Sequence, residues 1–180
     1  MKKTTLILAL VMATGSLFAQ KKTTTSAVIS FDATTAIDAL PKADNKTAIA
    51  SLDTKTGKLA FEVTIKNFAF SNPRIQEHFN AEGWMNSDKF PTATFKGDIK
   101  NLKDVNFGKD GSYKVTVAGE ITIHGVTKPI ESTGTIVVSG SKIKATSDFK
   151  VKLEDFNVNG GAIAAGKVSK EPAISVNAEF

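Results

Sequence analysis

The chain has 180 residues, which is enough for one domain of ordinary size. It contains no cysteine, and this excludes a disulfide framework, a thiolate metal site, a cysteine nucleophile and a lipid-anchored N-terminal cysteine. The formal net charge of +5 is modest and does not indicate nucleic-acid binding.

Residues 1–19 have the pattern of a secretory signal peptide. Lys2 and Lys3 form a short basic start, residues 6–13 are an apolar run, and the small residue Ala19 ends the segment. The apolar run is too short to cross a bilayer comfortably, so a membrane anchor is the weaker interpretation. We therefore expect cleavage after Ala19 and a mature protein that is periplasmic or secreted.

The polar stretch 20–26 that follows is expected to be a flexible leader. From Ala27 onward the dominant period is two, which is typical of strands with one buried face. Strands are expected over residues 27–34, 47–52, 59–66, 92–99, 113–123, 130–138, 143–153 and 174–180, with a loop near 41–45.

The alternation stops over residues 71–79, where the sequence predicts a short helix. Ser71 or Asn72 can cap its N-terminus, because both side chains accept hydrogen bonds from free backbone N–H groups. Ile75 and Phe79 are four residues apart and therefore share one face of the helix.

About eight antiparallel strands have to cover their apolar faces, and a sandwich or a closed barrel does so. The inward rows mix large and small side chains. Small residues would leave volume for an apolar guest, whereas the large rings could instead fill the space above them. The pattern leaves both interpretations open. The large residues are Phe31, Phe61, Phe95 and Phe149, and the small ones are Gly97, Gly119, Ser132, Gly134, Ala145 and Ser147.

Several segments, in this order, carry a resemblance to a known family. They are Gln76–Phe79 with Ser87–Phe95, then Gly119–Ile130, then Asp148–Phe156 followed by Lys167–Ser169. Together they resemble the YceI-like family of exported bacterial proteins. The resemblance implies an all-β fold, a lipocalin-like antiparallel barrel of about eight strands with one short helix. It also implies an interior that holds a long apolar chain, typically a polyisoprenoid.

The resemblance sets the expected domain, function and partners. Residues 27–180 would form one barrel domain that carries a long-chain apolar lipid without catalysis, and no cofactor or metal is expected. The lipid would be its partner, nucleic acid would not, and a homodimer and transient membrane contact are both compatible with this function. Trp84-Met85 stands where the family tends to have paired phenylalanine, which would alter the mouth of the pocket.

The candidate lipid contacts combine the inward rows with the predicted helix and the irregular connection after it. Arg74 is the only arginine, and a guanidinium suits a phosphate or carbonyl head group, although a solvated surface charge is the alternative. For His124 the choice is between a head-group contact and a turn histidine bonded to backbone. The full candidate set is Phe31, Phe61, Val63, Phe70, Arg74, Ile75, His78, Phe79, Trp84, Met85, Phe95, Val117, Gly119, Ile121, Gly134, Ile136, Ser147 and Phe149.

Two other classes of protein are weighed against a carrier. A small outer-membrane barrel fits the strand count, but such barrels carry girdles rich in tyrosine and tryptophan, and this chain has one of each. A lipid-modifying enzyme is disfavoured, because His78 and His124 are the only histidines and no nucleophile elbow or phosphate-binding glycine loop occurs.

Overall fold

A computed structural model describes residues 20–180, and the expected signal peptide lies outside the described residues. Most of the described chain is extended, as the period of two predicts. The strands are β1 (Lys21–Asp32), β2 (Lys42–Asp53), β3 (Lys58–Thr64), β4 (Ala69–Phe70), β5 (Thr92–Ile99), β6 (Gly111–Ile123), β7 (Val126–Ser139), β8 (Lys142–Lys150) and β9 (Ala173–Glu179), and the helices are α1 (Pro73–Asn80) and α2 (Gly161–Ala164). Within residues 20–180, no helix has the length and apolar character needed to cross a membrane.

The sheet closes on itself. Neighbouring strands run antiparallel in the order β1-β9-β8-β7-β6-β5-β3-β2, and β1 also pairs with β2. The two-residue β4 pairs only with the start of β2. Eight strands therefore form a closed antiparallel barrel, which confirms the expected fold class and leaves no long strand edge unpaired.

The start of the described chain differs from the expected leader. Residues 21–24 pair with residues 50–53 of β2, and Thr54 Oγ1 donates a hydrogen bond to the Gln20 carbonyl at 3.0 Å. None of the side chains in 21–26 is fully buried. Apolar alternation is absent because backbone pairing, rather than a buried face, holds this part of β1.

The expected loop near 41–45 is also part of a strand, the start of β2. Asn45 is fully buried there, and its Nδ2 donates to the Thr64 carbonyl at 2.8 Å. Its Oδ1 accepts from the backbone N–H and the hydroxyl of Thr47. The register between β1 and β2 shifts beside it, so the side chain satisfies backbone groups where the two strands bend.

Two buried clusters fill the two ends of the barrel. The aliphatic cluster lies at the end that carries the 139–142 turn, and it comprises Leu52, Leu59, Ile99, Val115, Ile136, Val138 and Ile143. The phenylalanine cluster lies at the other end, beside α1, and its rings are Phe31, Phe68, Phe70 and Phe79. Their centroids are 4.9 to 6.5 Å apart in tilted or edge-on pairs, the arrangement that aromatic rings prefer.

The segment 121–129, the most specific part of the family resemblance, builds a hairpin turn. His124 and Gly125 connect β6 to β7 with φ values of 51° and 75°, as a type I′ turn requires. His124 Nδ1 donates to the Phe156 carbonyl at 3.1 Å, and the imidazole packs edge-on against Phe90 at 4.5 Å. His124 is therefore a turn histidine bonded to backbone, as one of the two alternatives expects.

Gly125→Ala should destabilise the barrel more than an alanine at another positive-φ glycine does. An L-residue in the left-handed region costs roughly 1–2 kcal/mol. A Cβ at Gly125 would in addition lie 2.5 Å from Phe90 Cε1, so we expect a total loss of about 3 kcal/mol.

The matched control is Gly166→Ala, at φ 71°, where the nearest atom to a new Cβ is Ile37 Cδ1 at 3.9 Å. Urea unfolding of both variants measures the difference. Equal losses in the two variants would contradict the assigned role of the Phe90 contact.

Candidate functional site: an apolar cavity and an adjoining cleft

A cavity of about 190 Å³ lies inside the barrel between the two buried clusters. Side chains from β1, β3 and β5 to β9 form its wall, together with α1 and the turns that follow β3 and β8. None of the lining residues is charged. The wall is therefore almost entirely hydrocarbon.

Partly exposed side chains inside the barrel show that the wall does not fill its own interior. Phe61, Phe95, Val117, Ile121 and Phe149 point inward, yet each keeps some accessible surface. That surface faces the cavity. The sequence left open whether the large rings fill the barrel or the small residues leave free volume, and the structure shows free volume.

The two serine hydroxyls in the wall are satisfied by the protein itself. Ser147 Oγ donates to the Thr133 carbonyl at 2.8 Å, and Ser132 Oγ lies 2.9 Å from Ser147 Oγ. Since each hydroxyl has one proton, neither has a donor left for a guest. An apolar cavity of about 150 Å³ stays dry and takes up apolar molecules, and this larger cavity has the same character.

The structure places most of the candidate contacts in the cavity wall. Most of those that line the cavity have an inward position on a strand, whereas Phe79 belongs to α1 and Met85 to the turn after it. They are Phe31, Phe61, Val63, Phe79, Met85, Phe95, Val117, Ile121, Gly134, Ile136, Ser147 and Phe149.

The other six candidates do not line the cavity. Phe70 packs behind Phe79, and Arg74 is exposed on the outer side of α1. Gly119 pairs with Gly97, and a Cβ on it would overlap the Lys96 carbonyl oxygen. The strands approach closely there, so these glycines admit a neighbouring backbone rather than a guest. The remaining three, Ile75, His78 and Trp84, line a second cavity.

This second cavity, which we call the cleft, has about 370 Å³ and lies outside the phenylalanine cluster. One side is α1 with the turn after it, and the other side is the loop before β2 with segment 160–168. Asp38, His78 and Lys167 give the cleft polar and charged groups that the interior cavity lacks. Lys167 belongs to one of the segments that carry the family resemblance, but the candidate set included neither it nor the rest of the 160–168 wall.

Phe79 lines both cavities, and no other residue among those described does so. Its ring packs 4.9 Å from Phe70, 5.6 Å from Phe31 and 5.6 Å from Trp84. It is also the only fully buried residue of α1. Phe79 is therefore the side chain that the wall of the apolar interior and the wall of the polar cleft have in common.

Sequence reasoning missed part of the wall. The inward rows continue through Ile123, Ile130, Ile174 and Val176, which the period of two placed correctly but the candidate set left out. Leu153 and Phe156 also line the cavity from the 3₁₀ turn after β8, where no period marks an inward face. Within residues 20–180, no group of three or more His, Asp or Glu side chains could hold a metal ion.

The fold and the cavity define a class: a closed eight-stranded antiparallel barrel with a hydrocarbon-lined interior. The family model described as the YceI-like domain matches residues 13–180. The chain belongs to the YceI-like family.

Curated relatives are the YceI proteins of Shigella flexneri and Escherichia coli O157:H7. Each is 26% identical to this chain over 109 residues, which are 57% of this chain and 51% of the relative. The chain thus spans about half the length of the curated relatives it matches.

Solved structures extend the similarity in fold. BcnA of Burkholderia cenocepacia superposes with a TM-score of 0.71 at 18% identity, over 86% of this chain and 96% of that one. A polyisoprenoid binding domain from Saccharophagus degradans, described as implicated in plant cell wall breakdown, superposes with a TM-score of 0.74 at 10% identity, over 89% and 97%. The YceI protein of Campylobacter jejuni gives 0.53 at 22% identity, over 74% and 80%.

Phe79→Ala should join the cavity to the cleft and expose Trp84. Loss of a buried phenylalanine ring costs about 3–5 kcal/mol, and the indole loses its edge-on partner. Because Trp84 is the only tryptophan, acrylamide quenching of its fluorescence reports on this place alone, and we expect quenching to increase.

Phe70→Ala is the matched control, since Phe70 is also buried and contacts Phe79 but lines neither cavity. Quenching of Trp84 should change little in this variant. The same increase in both variants would show that general loosening, rather than loss of the Phe79 ring, exposes the indole.

Proposed function

We propose that the protein is a non-catalytic carrier for a long-chain apolar lipid, a polyisoprenoid, held in the barrel interior. The supporting observation is the uncharged cavity, whose lining serine hydroxyls are already bonded within the wall. Burial of hydrocarbon contributes about 0.8 kcal/mol per CH₂ group. A chain of several isoprene units would thus bind without polar contacts inside the barrel.

Membership of the YceI-like family and the fold shared with a polyisoprenoid binding domain agree with this proposal. The pattern of residues 1–19 supports export, so the carrier would act in the periplasm or outside the cell. Such lipids are nearly insoluble in water, and loading would therefore involve transient contact with a membrane. The proposal holds for a monomer and for a homodimer.

The orientation of side chains argues against an outer-membrane barrel. A barrel embedded in lipid needs an apolar outer band, whereas the outer face here carries exposed charges such as Lys96, Glu120 and Glu131. For the enzyme alternative, His124 is the histidine of the family-like motif, and its ring is held by Phe156 and Phe90 outside the cavity wall. The exposed charges therefore do not favour an outer-membrane barrel, and the position of His124 does not favour an enzyme.

Organic extraction of the natively purified mature protein, followed by mass spectrometry, tests the proposal. We expect a prenyl chain near one molecule per barrel, because the hydrocarbon wall gains free energy only when it is covered. Protein that emerges empty, and that also fails to take up added geranylgeraniol, would count against a carrier of isoprenoids.

Ala145→Phe should weaken uptake of geranylgeraniol while the protein stays folded. Ala145 lines the cavity and is only half-buried, so a larger ring can occupy space that the guest would use. Displacing about two CH₂ groups of guest costs ~1.6 kcal/mol, or more than tenfold in affinity. Gly134 is a poorer place for this test, because a Cβ there would lie 2.7 Å from the Thr146 carbonyl oxygen.

Ala60→Phe serves as the control, since Ala60 alternates with Leu59 and Phe61, both in the wall, and so lies on the outer face of β3. The Ala60→Phe variant should bind geranylgeraniol with the affinity of the unmodified protein. If Ala145→Phe also binds with unchanged affinity, the guest does not occupy this part of the interior.

A further inference from the structure

The only Asn-Gly pair in the chain, Asn159-Gly160, lies at the wall of the cleft. Gly160 lines the cleft, and Asn159 is exposed beside it. Asparagine is among the thermolabile residues of proteins, because the backbone nitrogen of the next residue can attack its side-chain amide carbon. Glycine has no side chain to hinder this approach, and it gives the backbone more freedom than any other residue. An Asn-Gly pair is therefore the sequence in which the attack meets the least steric resistance.

The fold leaves the reacting groups of this pair without hydrogen bonds. Among the hydrogen bonds within residues 20–180, none uses the Asn159 side chain or the Gly160 N–H group. The chain is held only on either side of them. The Val158 N–H donates to the Leu153 carbonyl at 3.1 Å, and the Gly160 carbonyl accepts from the Ile163 N–H at 3.1 Å. The nucleophile and its target therefore lie in a short exposed stretch that no hydrogen bond fixes.

Asn86-Ser87 is a comparable pair that the fold protects. Serine is also a small residue, but the Ser87 N–H donates to the Asn80 carbonyl at 3.1 Å, and Ser87 is only 1% exposed. The Ser87 nitrogen can attack the Asn86 amide only after this buried hydrogen bond breaks. The difference between the two pairs thus comes from the structure as well as from the sequence.

Deamidation at Asn159 needs no reactant other than water. The Gly160 nitrogen loses its proton to hydroxide and bonds to Asn159 Cγ, while the Cγ–Nδ2 bond breaks and Nδ2 takes a proton from water to leave as ammonia. The product is a succinimide ring, and water then adds to one of its two carbonyl carbons. Breaking the bond between the ring nitrogen and Cγ gives aspartate. Breaking the bond between the ring nitrogen and the main-chain carbonyl carbon gives isoaspartate, and no atom is oxidised or reduced on either route.

We infer that Asn159 is a site of spontaneous deamidation, which places a carboxylate beside the wall of the cleft. The new carboxyl group is ionised at neutral pH. The residues that line the cleft include one carboxylate, Asp38, and one lysine, Lys167. Deamidation therefore shifts the balance of these charges from neutral to net negative. This inference goes beyond the carrier function and does not depend on it.

An isoaspartyl link also displaces the wall of the cleft. It adds one methylene group to the main chain directly before Gly160, and the space there is small. A Cβ on Gly160 would lie 2.8 Å from Trp84 Nε1 and 3.1 Å from Trp84 Cδ1. The lengthened chain has to move either Gly160 or the indole. Because Trp84 is the only tryptophan, its fluorescence reports this movement.

Timed incubation of the purified mature protein in warm, mildly alkaline buffer tests the inference. Peptide mapping by mass spectrometry, with digestion in acid to prevent further reaction, locates the gain of about 1 Da that replacement of NH₂ by OH produces. We expect Asn159 to convert at least about tenfold faster than Asn86, because the hydrogen bond of the Ser87 N–H has to break first. Trp84 emission should change in step with the isoaspartate fraction.

Asn159→Gln is the matched control, because it keeps a neutral amide at an exposed position but can react only through a larger ring, which forms more slowly. Position 159 of this variant should stay unconverted, and Trp84 emission should stay constant over the same time. If Trp84 emission changes equally in the variant and in the protein with Asn159, the isoaspartyl link does not move the wall, and that part of the inference is overturned.

Incubation of the urea-unfolded protein separates the effect of the fold from that of the sequence. The Ser87 N–H loses its hydrogen bond in the unfolded chain, so Asn86 should convert faster there than in the folded protein, whereas Asn159 should convert at a similar rate in both. If Asn159 of the folded protein converts no faster than Asn86 of the folded protein, the fold protects both pairs and the inference is wrong.

Discussion

Closure of the sheet is the constraint on which the rest of this structure depends. Since β1 pairs with both β9 and β2, eight strands fix the circumference, and every second side chain has to point into a lumen of set width. Fully buried large residues form the aliphatic and phenylalanine clusters at the two ends of that lumen. Between them the rows contain Gly134, Ala145 and Ser147, which cannot reach the opposite wall. The cavity follows from closure together with the size of these residues.

The sequence predicted those strands whose one face is apolar, because burial imposes a period of two that can be read directly. It failed at residues 20–26 and 41–45, where backbone pairing and the buried Asn45 hold extended chain without apolar alternation. It also failed to separate two uses of glycine. Gly134 lies in the cavity wall, whereas Gly97 and Gly119 let two strands approach. In sequence the three look alike, because the distinction depends on the distance between neighbouring backbones.

The segment that carries most of the family resemblance contributes to the fold rather than to the cavity. His124 and Gly125 turn the chain, Phe90 covers them, and the Phe156 carbonyl holds the imidazole in place. A match to this segment therefore identifies a barrel of this type, but it gives little information about what the cavity holds. The two charged groups of the cleft, Asp38 and Lys167, lie outside this segment, in the loop before β2 and in segment 160–168.

Phe79 links the stability of the barrel to access to its interior. The ring lines the cavity and packs among other aromatic side chains, and α1 has no second fully buried residue to hold it in place. Displacing the ring costs at most what its deletion would, about 3–5 kcal/mol, so the population with the ring displaced is at least roughly 10⁻² to 10⁻⁴. No barrel strand has to separate for this opening. Under the proposed carrier function, exchange of a guest past α1 would then be limited by the movement of one side chain rather than by unfolding of the sheet.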